Sequence, residues 1–581
     1  MKERLIVGAA IGDCVHVAGV VNFLNLAEQL GFETVCLGPA VSVDELLEKV
    51  ADLDPGVVAV GYRLTPENCR NLLAELSDKV VVGGQDARRW LFGGTEPCVA
   101  VAHEMGLFQM TFASGTTKPA VVAYLRGEQN HTIAGTPPPQ TLVERIRWKA
   151  PYPLLRHHFG RPTVDETVAG VVDIARAECL DVISLGTDQN AQEHFFRPEE
   201  MDPSAHGAGG VPVRTERDLE MIYAHCRLGN HPLMRCYSGT RDTMRWAPML
   251  TRTINNAWCA IPLFWYTRLD GRSPRPLRAA IPETQALMRW HAERGVPVEM
   301  NESHHWSLRD APDVVAVVAA YLAAYNARAA GVRDYVQQLM FNNPPCTSPI
   351  MDLGKMLAKL ELVESLQNAR FRVWRETRGG LTSYPPDPSV ARGHLAATVA
   401  LQMQLKPHIV HIVGHTEAHH ATTAEELIEA CRIADGAISQ CLLGSPDMTA
   451  DARVQQRKAQ LLADASVLLD AIASLGSGCD PYTDANVLAR AVEIGLMDAP
   501  HLRGNAAGCG KIVTRMVDGA CQAVEPCNGK PIPETERVAR ALAGMDREEV
   551  SDSPVKASGR PREKRSASAI AFRGAKLVAR N

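Results

Sequence analysis

The stretch Ala9–Pro39, AAIGDCVHVAGVVNFLNLAEQLGFETVCLGP, decides the fold. The apolar run RLIVGAAI, which ends inside it, reads as a strand. A short loop carrying Asp13, Cys14, His16 and Gly19 follows, then apolar residues at helical spacing through Leu30, then ETVCLG as a second strand. A strand that ends in a Gly-containing loop and feeds a helix sets the loop's side chains at the carboxyl edge of a parallel sheet, where such folds bind ligands.

The alternation continues outward from this stretch. SVDELLEKVADL reads as a helix, GVVAVGYRL as a strand, PENCRNLLAEL as a helix, KVVVGG as the fourth strand, and GTTKPAVVAYLRG as a closing helix. Apolar strands separated by amphipathic helices imply a doubly wound parallel sheet over residues 1–127. RGEQNHTIAGTPPPQ, with Pro137 to Pro139 in a row, continues neither element type and places a linker over 128–150.

Beyond the linker, strands are expected at 181–186, 232–237, 260–266, 296–301, 335–341, 370–374 and 408–414, with an eighth near Leu155 to Arg161. Eight strands alternating with helices over 151–480 predict an α/β architecture of the (β/α)8 barrel type, whose chemistry lies at the carboxyl ends of its strands. That rule selects Thr187, Asp188, Tyr237, Arg241, Tyr266, Arg268, Asn301, Glu302, Asn342, Asn343, Arg375, Arg378, His415 and Glu417. His304–His305 and His419–His420 are read as neighbours on extended chain, where adjacent side chains point opposite ways, so neither pair is a chelating one. A C-terminal extension of the barrel covers 481–545, and a basic, solvated tail covers 546–581.

Composition excludes several classes. With 581 residues, 46% hydrophobic and 22% charged, the chain buries large cores, and a net charge of -5 points to neither nucleic acid nor an anionic membrane as partner. The longest apolar run, near Val314 to Tyr325, is too short to span a bilayer, and no basic stretch precedes an apolar leader, so a cytoplasmic protein is expected. The 15 cysteines are scattered without a Cys-x-x-Cys pair, which suits reduced thiols rather than a disulfide or zinc framework.

The first domain resembles the cobalamin-binding domain of the mutases and of methionine synthase. His16 and Gly19 match the family's Asp-x-His-x-x-Gly, Leu64 its Ser-x-Leu with Tyr62 in the serine's place, Gly83 and Gly84 its Gly-Gly, and Gly115–Thr116 its Gly-Thr. The family's Asp two residues before the histidine is Cys14 here, with the carboxylate displaced to Asp13. The resemblance implies that His16 ligates cobalt from below, that Asp13 orients it, and that Gly19, Gly83, Gly84 and Gly115 admit the nucleotide tail.

The barrel resembles the large chain of glutamate mutase, also called methylaspartate mutase. The likeness lies in ARAVEIGLMDAPHLRGNAAGCG at Gly495, Met497, Asp498 and Pro500, in HIVHIVGHTEAHHATTAEEL at Glu417–Ala418, in PLMRCYSGTRD, and in Gly379–Gly380. It implies an adenosylcobalamin-dependent carbon-skeleton mutase acting on a small acidic substrate, with the first domain laying the corrin across the barrel mouth and a homodimer as the assembly. The alternative is a cobalamin-dependent methyl-transferring or carrier protein without radical chemistry. Candidate catalytic residues are Glu417, Tyr266, Arg235 and Arg241. In the alignment, the three substrate-gripping arginines of the family fall near Arg161, on Gln192 and on Tyr237, its ammonium-binding Glu on Asn256, and a Lys near the adenosyl group on Val413. These exchanges imply a substrate other than free glutamate, with Arg268, Arg375 and Arg378 as candidate cations.

Overall fold

The computed structural model describes residues 2–113, 116, 118–125, 138–237 and 239–551. Gly115, residues 128–137 of the expected linker and the tail beyond 551 lie outside the described residues.

Five parallel strands form the first sheet: β1 (Lys2–Ile11), β2 (Glu33–Val41), β3 (Pro55–Tyr62), β4 (Arg89–Gly94) and β5 (Met110–Phe112), in the order β2-β1-β3-β4-β5. β3 is buried along its whole length, as expected of a central strand covered by helices on both faces. The order reverses direction at β1, so the carboxyl ends of β1 and β3 open the crevice in which such sheets bind ligands.

The fourth strand is not KVVVGG. Thr65 caps a helix, Pro66–Val82, that begins with proline in its first turn and buries Cys69, Leu73, Leu76 and Val80 on one stripe. That stripe overrides the β preference of the valine run, and Val81 and Val82 simply face solvent. Gly83 caps this helix, and Gly84 turns the chain away with φ of 63°. The strand is instead RWLFGG, which ends in Gly93 and Gly94.

The second unit is an eight-stranded parallel barrel built from β6 (Leu154–Phe159), β7 (Val182–Leu185), β8 (Leu233–Cys236), β9 (Cys259–Ile261), β10 (Val298–Met300), β11 (Asp334–Met340), β12 (Arg372–Arg378) and β13 (Ile409–His411). All eight fall where the alternation places them. Between β8 and β9 the ring closes through the Ala257 N–H, which donates to the Met234 carbonyl at 2.9 Å, and the Asn256 side chain, which accepts from the Cys236 N–H at 3.0 Å. The helix Leu142–Lys149 seals the amino-terminal end by packing Leu142 and Ile146 on Leu154, Val182, Leu233 and Ile409, where each buried aliphatic side chain contributes about 1.5–3 kcal/mol.

Inside the barrel, Arg156 pairs with Glu376 and with Glu299 at 3.3 Å, while Arg235 lies 3.5 Å from Glu299 and stacks on Trp258. Isolated charges this deep would be prohibitive, so each sign is matched by the other. Past the barrel, Asp498 organises the extension by accepting the N–H groups of Ala499, Gly510, Lys511 and Ile512 at 2.7–3.1 Å. A hairpin, β14 (Thr514–Val517) with β15 (Ala520–Ala523), and the helix Glu534–Ser551 follow. Among the described residues no helix is long and apolar enough to cross a membrane.

Candidate functional site

Two constellations stand out, one in each unit. In the first, His16 from the loop after β1 and Gly19 from the first turn of the helix Ala18–Gln29 border a cavity of about 640 Å³ that runs between that helix and the sheet. Its floor is Gly61, Gly93 and Gly94 from the ends of β3 and β4, and Tyr62, Arg63 and Thr116 complete the rim.

The glycines are there for two different reasons. A Cβ on Gly19 would meet nothing within 4 Å, and one on Gly93 only the Phe112 carbonyl at 3.9 Å, so both keep space open. A Cβ on Gly94 would stand 2.4 Å from the Tyr62 carbonyl, so this glycine lets two strands approach. Gly83 and Gly84, assigned to the cavity from sequence, lie at a helix end and do not line it. Gly93 and Gly94, a second pair at the end of RWLFGG, do line it. Leu64 points to solvent, 38% exposed, beside the lining residue Arg63.

His16 is exposed at the cavity entrance and makes no hydrogen bond among the described residues. Asp13 accepts from the Tyr62 hydroxyl at 2.9 Å, and Cys14 is buried beneath the loop. Burial, then the Asp13 carboxylate, pushes the Tyr62 phenol up to about 12, so it stays a donor. The last wall of the cavity is Tyr152, Ser439, Gln440 and Leu443. These residues stand just before β6 and at the end of the helix Ala424–Leu442, on the amino-terminal side of the barrel. In this arrangement the His16 cavity therefore borders the barrel face opposite the mouth, not the mouth itself as expected from sequence.

The second constellation is the barrel mouth. Tyr237 stacks on His158, with its hydroxyl 3.3 Å from His158 Nε2, and His158 packs on His411. Glu417 accepts the Gly414 N–H at 2.6 Å and lies 3.1 Å from His157 Nε2. Tyr266, at φ of 61°, sets its ring edge-on to His305 beneath Arg272. His304 and His305 sit on the short helix Glu302–Ser307 with stacked rings, not on extended chain, because Asn301 already begins the turn out of β10. Burial, aided by neighbouring cations, drives His158, His304, His305 and His411 well below the usual histidine range and keeps them neutral.

Arg235 belongs to the interior charge network described above, and Arg241 is held by Glu200 at 2.7 Å. Arg161 donates to the Ala421 carbonyl. Arg375 points outward to Glu364, whereas Arg378, three residues on and on the other face of β12, points to the mouth.

A doubly wound domain with a histidine and a cavity at the carboxyl edge of its sheet, joined to a (β/α)8 barrel with a buried polar mouth, defines a two-unit α/β protein. More particularly, residues 276–543, from the stretch before β10 through the C-terminal extension, match the family of the methylaspartate mutase E chain (MutE). The methylaspartate mutase resemblance read from Gly495, Met497, Asp498 and Pro500 is thereby borne out over that segment. A solved structure described as a novel cobalamin-binding protein from Desulfitobacterium hafniense is 23% identical over 22% of this chain and 58% of its own, with a TM-score of 0.19. None of the curated proteins matches the chain.

Proposed function

We propose that this chain is a cobalamin-dependent mutase of the methylaspartate mutase type that uses adenosylcobalamin and rearranges a small acid. The single observation that carries the reading is the cavity below His16, kept open by Gly19 and Gly93 and joined in one chain to a MutE-like barrel. His16 is a free imidazole suited to ligate cobalt, and the floor of Gly61, Gly93 and Gly94 lets backbone approach a buried tail. Bound adenosylcobalamin supplies a carbon–cobalt bond whose homolysis provides a radical.

The barrel's own residues do the rest. Its mouth gathers neutral imidazoles and phenols under a ring of buried walls, which excludes water from a reactive centre. Arg378 and Tyr237 stand where a substrate enters, and Glu417 and His157 hold the β13 end in place. Turnover requires the His16 edge to face a barrel mouth, in the same chain or in the second copy of a homodimer. The remoteness of the cavity from the mouth favours a second reading, a cobalamin carrier for methyl transfer.

One experiment separates them. The whole chain is mixed anaerobically in the dark with adenosylcobalamin and a panel of small acids, glutamate and 3-methylaspartate included, and followed by absorbance and proton NMR. Loss of the adenosylcobalamin band with rearranged product supports the mutase. A band unchanged by every acid, with methylcobalamin demethylated instead, supports the carrier.

A further inference from the structure

We propose that Arg378 anchors the one carboxylate of a substrate whose remaining groups are uncharged, so that the barrel mouth selects a hydroxy- or oxo-type acid over an amino acid. This rests on reading the barrel as the substrate unit of the proposed mutase.

Arg241 is taken by Glu200, Arg272 and Arg309 share Asp270, and Arg156 and Arg235 are matched by Glu299 and Glu376 in the interior. Arg378 differs from all of them. Its one hydrogen bond among the described residues is a long one, from Nε to the Gly379 carbonyl at 3.4 Å, and part of its side chain stays open although the barrel surrounds it. A guanidinium left with unfilled donors in a recess is suited to a planar carboxylate, which takes two parallel N–H bonds.

The carboxylates of the mouth are all engaged. Glu417 is held by Gly414 and His157, and Glu302 accepts the Leu263 and Phe264 N–H groups and the Trp306 indole N–H at 2.6–3.0 Å. Asn256, the position aligned with the family's ammonium-binding Glu, is turned into the barrel seam, where it bonds Cys236 and Trp258. An ammonium group would therefore enter beside the Arg378 guanidinium with no carboxylate left free to accept from it, a costly placement for a desolvated ion.

What the mouth does offer is neutral. Asn301 Oδ1, His304 Nδ1, His305 Nε2 and Asn343 Oδ1 are buried without hydrogen-bond partners, on side chains no more than 7% exposed. Unpartnered buried polar atoms are rare in folded proteins and are expected to be satisfied by a ligand or water. These four suit a hydroxyl, a carbonyl or an amide.

The test is saturation-transfer NMR on the whole chain without cobalamin, with 2-hydroxybutyrate, 2-aminobutyrate and glutarate as probes. The expected order places 2-hydroxybutyrate first. Arg378→Gln should weaken it about ten-fold or more, Arg378→Lys less, and Arg252→Gln, at a surface residue paired with Glu216, not at all. Thermal melts of both Arg378 variants, with Arg378→Lys keeping the charge, separate lost binding from lost fold. Preference for 2-aminobutyrate or glutarate, no binding of any of the three, or unchanged binding in folded Arg378→Gln overturns the proposal. Because no cobalamin is present, failure here is distinct from failure of the mutase reading, which the dark absorbance experiment decides.

Discussion

The Tyr62 hydroxyl donates to Asp13 Oδ1 at 2.9 Å and ties the end of β3 to the loop that carries His16. The length of the Tyr62 side chain lets it span two loops that a shorter hydroxyl side chain would leave apart. Asp13 is thereby fixed by Tyr62 through Oδ1. Tyr62→Phe should cost about 1 kcal/mol of stability and loosen the His16 loop. Asp13→Asn, which keeps an acceptor for Tyr62 but loses the charge, should weaken cobalamin binding about 10- to 100-fold with little change in melting temperature. Calorimetric titration with cobalamin and thermal melts of the two variants check the pair, and equal losses of stability would contradict the division of roles.

Gly93 and Gly94 make a matched contrast. Gly93→Ala places its methyl group in the cavity against only one carbonyl at 3.9 Å and should leave the melting temperature within a degree or two while lowering cobalamin affinity. Gly94→Ala drives a Cβ to 2.4 Å from the Tyr62 carbonyl and should destabilise the first domain by about 1–3 kcal/mol. Melting curves and cobalamin titrations of both variants read the difference directly.

Most of the architecture is legible in the sequence because period and punctuation agree. Eight barrel strands and three of the five strands of the first sheet sit where the apolar runs place them; β4 and β5 lie outside the runs read as strands, and one run read as a strand is a helix. The exception, Val80–Val82, fails because β propensity is weaker than a capped helix with a buried stripe at Cys69, Leu73, Leu76 and Val80. The site is less legible. Arg378 is visible as a cation at a strand end, but its freedom depends on Glu200, Asp270, Glu299 and Glu376 occupying its rivals, and those pairings bring together residues far apart in the chain. Tyr152 and Leu443 as cavity walls come from the docking of two units, which no local pattern encodes.

Glu302 gives a pH signature. Burial raises its carboxyl from 4.5 to about 7, against the pull of its three N–H donors. Between those two values the folded chain holds a proton that the unfolded chain has released, so this group's contribution to stability falls as pH rises from about 4.5 to about 7 and is level above. The slope approaches 1.4 kcal/mol per pH unit at its steepest. A series of melts from pH 5 to 8 should show a flatter fall in Glu302→Gln than in the parent chain, and parallel curves would contradict the assignment.

Asp498 is a structural anchor within the mutase-like segment. Replacing it by Ala leaves the Gly510, Lys511 and Ile512 N–H groups without their acceptor and should cost on the order of 3 kcal/mol. Proteolysis within residues 503–512 should accelerate in Asp498→Ala, while the first domain binds cobalamin as before.

The central claim is that His16 holds cobalt. The chain is loaded with cobalamin, reduced to the Co(II) state and measured by electron paramagnetic resonance, once with natural histidine and once with histidine labelled with nitrogen-15. The account predicts a three-line nitrogen splitting that becomes two lines on labelling and vanishes in His16→Ala. A splitting that ignores the label, or that survives in His16→Ala, contradicts it.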